Sequence, residues 1–332
     1  MKKILLSTIA MATLVSASST ATTVKSKVPL LKFSGTHYLG FVHDSETDTN
    51  EFETRRNYFQ IKGYFDEESK DYMRITFDTH HEASGDWKVR LKYAYLYLDD
   101  ILPFTGVEMG QVHRPWIDYE EHHGWAYRSI SKVFVEAHEG AHFTNSADLG
   151  VNFKTKTEYL SSELGIFNGE GYHGIEDGNG LSGEWRVTGH LFGTGKAHVH
   201  THDTYLDLSF LGQYNTDYKV KGTDFVWYGL HAVYNQPEFL LSAQYITATD
   251  GGATKEGDGY SINGEYRIVE DWNLIGRYDF FELDAGEERQ RTLAGASYKY
   301  NKNVEFIANY LNEEVDSVTQ TDAVMLTAQV KW

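Results

Sequence analysis

Cysteine is absent from the 332 residues, which excludes disulfide bonds and thiolate metal sites. Proline is scarce, with only 4, and a residue barred from central strands is therefore almost missing. No G-x-S-x-G stands in the chain, so the common serine-hydrolase signature is lacking. No fixed-period repeat is visible, which removes solenoids and propellers. Basic residues are outnumbered, 30 against 48 acidic, and the formal net charge of −18 argues against nucleic acid as a partner. Beyond the N-terminus no apolar run approaches the ~20 residues of a spanning helix.

What is present points another way. The N-terminus reads as a secretory signal: Lys2 and Lys3 precede an apolar run from Ile4 to Val15. Small-residue cleavage patterns follow at Val15-Ser16-Ala17 and Ser19-Thr20-Ala21, so residues 1–21 are expected to be removed on export. The remainder, residues 22–332, is rich in aromatics and glycine, with 23 Tyr, 18 Phe and 30 Gly. Tyrosine and phenylalanine on alternating strands suit the aromatic girdles of a membrane barrel with a polar lumen.

Alternation recurs along the whole chain. Met73, Ile75 and Phe77 oppose Arg74, Thr76 and Asp78; Trp185 and Val187 oppose Glu184, Arg186 and Thr188. Tyr260, Ile262 and Tyr266 oppose Ser261, Asn263 and Glu265. In the strand from Trp87, Val89, Leu91 and Tyr93 share one face and Lys88, Arg90 and Lys92 the other. The segment from Phe225 to Tyr234 is apolar on both parities, and its facing stays open. The pattern predicts an all-β fold: a transmembrane antiparallel β-barrel of about 16 strands. Short connections (66–71, 235–238, 270–271, 301–303) alternate with longer ones (44–53, 169–181, 249–258, 284–288). Short turns on the periplasmic side and long loops outside produce that asymmetry. Val324, Leu326, Ala328, Val330 and Trp332 share a face, and a terminal aromatic resembles the insertion signal of outer-membrane barrels.

One connection is much longer than the rest. Residues 116–146 carry both signs of charge and bulky groups (Trp116, Tyr119, Trp125, Tyr127, Phe134), which predicts an ordered loop folded into the barrel. Its candidate constriction residues are Asp118, Glu120, Glu121, Arg128, Lys132 and Glu136. Arg56, Lys62, Arg74, Arg90 and Lys92 fall on the polar parity of nearby strands as candidate pore-lining groups, with Asp78 as a salt-bridging partner. Asp118, Glu120 and Glu121 are expected to face Arg56, Arg90 and Lys92 across the narrowing. His198, His200 and His202 alternate as imidazole ligands would, but they fall in an expected short-side connection and read better as a solvated turn than as a metal site.

These residues also resemble a family. Arg55-Arg56-Asn57-Tyr58-Phe59-Gln60-Ile61-Lys62-Gly63-Tyr64-Phe65 is similar to the paired-arginine first hairpin of the phosphate-selective porin O and P family. Leu91-Lys92-Tyr93-Ala94-Tyr95-Leu96, Gly110-Gln111-Val112-His113-Arg114-Pro115 and Tyr127-Arg128-Ser129 follow in matching order. Asp148-Leu149-Gly150-Val151 and Gly165-Ile166-Phe167-Asn168-Gly169 continue the order, to about residue 215. The resemblance implies a sixteen-stranded trimeric channel with its third outer loop folded inward. Phosphate selectivity in that family rests on a dense arginine ladder and a lysine cluster, whereas the long loop here is acidic.

The sequence therefore reads as an outer-membrane porin of a diderm bacterium and not an enzyme. It is expected to pass small hydrophilic solutes and ions with weak selectivity, without a cofactor or metal, as a homotrimer in outer-membrane lipid. An anion or phosphate channel is the alternative, and a barrel enzyme or surface-binding protein a third.

Overall fold

A computed structural model describes residues 30–66, 68–81, 85–175, 180–196, 203–218, 221–251 and 254–332. The expected signal peptide and the histidines at 198–202 lie outside these residues. Sixteen antiparallel strands close into one barrel in sequence order. They run β1 (Leu30–Asp44), β2 (Thr49–Tyr64), β3 (Tyr72–His81), β4 (Trp87–Leu102), β5 (Thr105–His113), β6 (Ala147–Lys156), β7 (Leu160–Phe167) and β8 (Ser182–His190). The second half is β9 (Tyr205–Asn215), β10 (Phe225–Gln236), β11 (Phe239–Asp250), β12 (Gly257–Val269), β13 (Trp272–Leu283), β14 (Glu288–Lys299), β15 (Val304–Val315) and β16 (Val318–Lys331). A single short helix, α1 (Ile117–His123), lies among the described residues, inside the long connection after β5.

Closure satisfies the strand edges, which hydrocarbon would leave without partners. β1 pairs with β16 from Thr36↔Lys331 to Asp44↔Ala323. The last residue continues the ladder: Gly35 N–H donates to the Trp332 carbonyl (2.9 Å), and Trp332 N–H donates to the Gly35 carbonyl (3.1 Å). The Trp332 indole N–H reaches His37 Nε2 (2.9 Å), and its ring lies 6.0 Å from that of Phe59. A Cβ on Gly35 would sit 2.5 Å from the Trp332 ring, so glycine is what lets the tryptophan lie flat across the seam.

The outward face is apolar. Leu39, Leu164, Leu230, Leu241 and Leu326 are all exposed there, an arrangement suited to lipid and not to water. Tyrosine divides by sector. Tyr214, Tyr228, Tyr245, Tyr260 and Tyr278 stand outward in one half of β9–β13, and Tyr234 and Tyr266, beside Phe239 and Trp272, stand outward at the other end. On β1–β4 the outward residues are Phe33, Phe59, Met73, Val89 and Leu91, while Tyr38, Tyr58, Tyr72, Tyr93 and Tyr95 turn inward.

Two β-bulges explain a departure from simple alternation. Tyr38 pairs with Arg56 and Leu39 with Thr54, which leaves Arg55 extra. Thr76 pairs with Tyr93 and Phe77 with Leu91, which leaves Lys92 extra. Each bulge turns two consecutive side chains inward. Tyr93, expected outward with Val89 and Leu91, is therefore inside and 7% exposed.

Loop lengths also depart from expectation. The acid-rich stretch 44–53 is mostly strand, with a turn of only four residues between β1 and β2. At the opposite end the β8–β9 connection, residues 191–204, is the long one. The remaining short turns fall where the pattern placed them.

Removing the Trp332 ring deletes its contacts with His37 and Phe59 at the seam. Trp332→Ala is expected to lower barrel stability by about 1–2 kcal/mol for a half-exposed aromatic. The urea midpoint of folded, heat-modifiable protein measures this; an unchanged midpoint would show that the ladder alone closes the barrel.

Candidate functional site

Residues 114–146 fold into the barrel between β5 and β6 and press against one side of it. The wall there carries apolar side chains on its inner face, including Leu211, Trp227, Ile246, Ile275, Phe281 and Leu293. Trp116, Trp125, Val133, Phe134, Val135 and Phe143 of the loop bury against them. The two-sided apolarity of Phe225–Gln236 follows: outward residues meet lipid, inward ones meet the loop. Gly124 marks the closest approach, since a Cβ would lie 2.9 Å from His231 Nε2.

Polar bonds fix the loop by its own backbone. Arg186 Nε donates to the Pro115 carbonyl (3.1 Å) and Arg55 to that of Ser129 (2.9 Å). Arg277 and Arg291 donate to the Lys132 carbonyl (3.0 and 3.3 Å), and Arg289 to that of Gly140 (3.3 Å). These guanidiniums are held by carboxylates in turn, Arg277 and Arg291 by Asp279 and Arg186 by Glu163. Tyr119 donates to Asp207 (2.6 Å) and Tyr127 to Glu265 (2.8 Å), so aromatic and hydrogen-bonding anchors coincide.

The loop face turned away from that wall bounds the lumen. Asp118, Glu121 and Arg128 line a cavity of about 350 Å³ with Tyr58, Arg74, Lys92 and His113 of the opposite wall. Ala126, Gln329 and Lys331 also line a second cavity, of about 830 Å³, at the short-turn end. Arg128 bridges Glu121 and Glu136, the latter at 2.6 Å, and Lys132 lies 3.5 Å from Glu136. Burial works to raise the Glu136 carboxyl, but Arg128 and Lys132 overcome it and hold it below the usual range.

Arg56 and Arg90 do not confront the loop acids. Both reach the fully buried Asp78 between them, at 3.4 and 3.0 Å. Arg90 also donates to His173 Nδ1 (2.9 Å). Burial and then Arg90 itself push His173 down to about 3, which keeps that nitrogen free to accept. Lys92 stands over the Tyr58 ring at 4.4 Å, Arg74 over Tyr93 at 4.7 Å and Lys62 over Tyr72 at 4.6 Å. A column of cations on tyrosine rings thus descends the inner wall. Alternation alone did not reveal it, because the bulge that turns Tyr93 inward is invisible in a period of two.

Glu120 is a second correction. Expected in the narrowing, it is 1% exposed and accepts the Trp116 indole N–H (2.6 Å) on the side of α1 facing the wall. Asp118 and Glu121, three residues apart, share one face of α1 and meet the lumen, while Glu120 between them is carried to the other face. Arg55, Arg277 and Arg291 were not among the candidate site residues. For Arg277 and Arg291 the signal lay in inward apolar neighbours such as Ile275, Phe281 and Leu293, which mark strands covered on both faces.

The barrel shares its fold with solved outer-membrane proteins. A loop-deletion mutant of OmpT, an outer membrane protein of Vibrio cholerae, aligns with a TM-score of 0.67 at 12% identity, over 92% of this chain and 100% of that one. The trimer form of in-vitro folded OmpT gives 0.63 at 11% identity over 92% and 100%. A mutant of Rh. blastica porin gives 0.61 at 12% identity over 91% and 100%. At such identities the likeness is one of fold. No protein-family model and no curated protein matches the chain.

Burial raises the Glu120 carboxyl to about 7, with Arg277 acting in the opposite sense. The folded protein therefore favours the protonated acid. That stability is complete below the ordinary value of 4.5 and is lost as pH rises through 7. Glu120→Gln keeps an acceptor for Trp116 and removes the titration. Its thermal midpoint in detergent is expected to exceed wild type by about 2–4 °C at pH 8 and to match it at pH 4. Equal pH dependence in the two proteins would show that Glu120 is not buried as an acid.

Proposed function

We propose that the protein is an outer-membrane porin, a passive channel for small hydrophilic solutes and ions, and not an enzyme. The observation that carries this reading is the loop of residues 114–146. It is bolted to one wall and leaves charged aqueous cavities beside it. An apolar exterior with two aromatic zones supports placement in the outer membrane of a diderm bacterium, reached through the signal read at residues 1–21. Arg56, Lys62, Arg74, Arg90 and Lys92 are assigned to the pore wall, and Asp118, Glu121, Arg128, Lys132 and Glu136 to the constriction.

Ion selectivity follows from how these charges pair. Asp78 offsets much of Arg56 and Arg90, and Arg128 offsets Glu121 and Glu136. Opposed charges in one narrow passage favour neither ion strongly. An anion channel is the second reading, supported by Arg74 and Lys92, which reach no carboxylate at ion-pair distance among the described residues, and by the family resemblance.

The homotrimer is assigned on the outward face of β1–β4. That sector carries no outward tyrosine, unlike β9–β13, and between its rims, where Trp87 and Trp332 stand, the outward side chains include Phe33, Leu39, Phe59, Met73 and Leu91, as a protein-covered surface allows. Cross-linking in mild detergent is expected to give three times the chain mass; a monomer under those conditions would overturn the assignment.

In planar bilayers the protein should conduct, with a small reversal potential under a salt gradient. Arg90→Glu should shift the permeability ratio toward cations by about twofold or more, since it reverses a charge on the pore wall. Absent conductance would sink the porin reading, and a current carried by anions alone would establish the second.

A further inference from the structure

Most inward charges of the barrel are matched. Arg56 and Arg90 share Asp78, Lys154 lies between Glu108 and Glu163, and Arg114 is held by Glu184. The cavity beside the loop breaks this rule. On its wall side Lys92 Nζ bonds only the Tyr58 hydroxyl (3.3 Å) and stands on aromatic rings. Arg74 donates to Thr76 Oγ1 (3.1 Å), the Tyr95 hydroxyl (3.3 Å) and His113 Nε2 (3.2 Å). Neither cation has a carboxylate at ion-pair distance among the described residues.

On the loop side of the same cavity stands Asp118, its side chain 43% exposed, with histidines as its partners at ion-pair distance among the described residues. His122 lies 3.8 Å away and His113 3.9 Å. A guanidinium can only donate, so His113 Nε2 accepts from Arg74 and carries no proton. Its proton then sits on Nδ1, toward Glu108 at 3.3 Å. With His113 neutral, Asp118 has no permanent cation at ion-pair distance among the described residues, and Arg74 and Lys154 act on it only from farther off. Arg74 and Asp118 both approach the same Nε2, at 3.2 and 3.9 Å, so no more than about 7 Å separates them, yet they do not pair. Unlike charges held apart across an aqueous cavity are open to a solute that carries both signs.

We propose that this cavity is a binding subsite for small zwitterionic solutes, α-amino acids foremost, with the carboxylate on Arg74 and Lys92 and the ammonium on Asp118. The proposal rests on the porin reading and deepens it. The charged ends of an α-amino acid are about 3 Å apart, and a hydrogen bond of about 2.8 Å at each end lets a bent arrangement span the gap. A cavity of about 350 Å³ holds such a molecule with water to spare. A neutral solute of the same size would leave both charges unmatched, and an ion of one sign would satisfy only one of them.

L-alanine and lactamide are isomers, one zwitterionic and one neutral, and osmotic swelling of proteoliposomes compares their entry after subtraction of protein-free vesicles. Wild-type protein is expected to admit alanine about fivefold faster than lactamide at millimolar concentration, with the alanine rate saturating. Asp118→Asn and Lys92→Met should bring the ratio near one, with heat-modifiable migration of each variant showing that its barrel is folded. Equal rates in wild type, or a ratio unchanged in both variants, would overturn the subsite and leave the porin reading intact. Loss of KCl conductance in the wild type would instead remove the porin reading, and the subsite with it.

Discussion

The loop inside the barrel exposes backbone carbonyls, and the barrel wall exposes buried guanidiniums; each would be costly alone. Their mutual satisfaction is the interaction on which the lumen depends. Arg55, Arg186, Arg277, Arg289 and Arg291 reach carbonyls spread from Pro115 to Gly140. Carboxylates on the wall hold several of these arginines in turn, so the loop is tied into a network and not to single contacts. Side-chain exchange on the loop leaves these bonds intact, because they involve its main chain.

This arrangement divides the interior into two unlike halves. One side is a dry packing surface, where inward Leu211, Trp227 and Phe281 meet loop aromatics much as a soluble core would. The other is wet and charged, with cations seated on tyrosine rings. Inward tyrosine on β1–β4 and outward tyrosine on β9–β13 express the same division. Each ring lies where a polar tip and an apolar body both find partners.

Barrel architecture was legible because period-two alternation is imposed strand by strand, by lipid on one side and water on the other. Met73, Ile75 and Phe77 against Arg74, Thr76 and Asp78 show it plainly. The site was legible only in part. Residues 116–146 stood out by length and composition, but a helical turn rotates Glu120 away from Asp118 and Glu121, and the sequence gives no phase for so short a helix. The structural arginines of β13 and β14 looked like ordinary lumenal charges. Only the loop position shows that they hold backbone and not solute. Tyr93 was misplaced for a further reason: one unpaired residue reverses the parity of everything beyond it.

That unpaired residue bears on how such a pore can change over generations. At Arg55 and at Lys92 the strand holds one residue more than its neighbour, and the flanking side chains face correctly only because of it. Deleting either codon would restore strict alternation: Thr54 outward beside Arg56 inward, or Leu91 outward beside Tyr93 inward. No lipid-facing residue would move to the lumen. Lys92, a charge on the cavity beside the loop, can thus be gained or lost as a one-residue insertion or deletion, a class of mutation that elsewhere in a closed sheet turns a strand inside out.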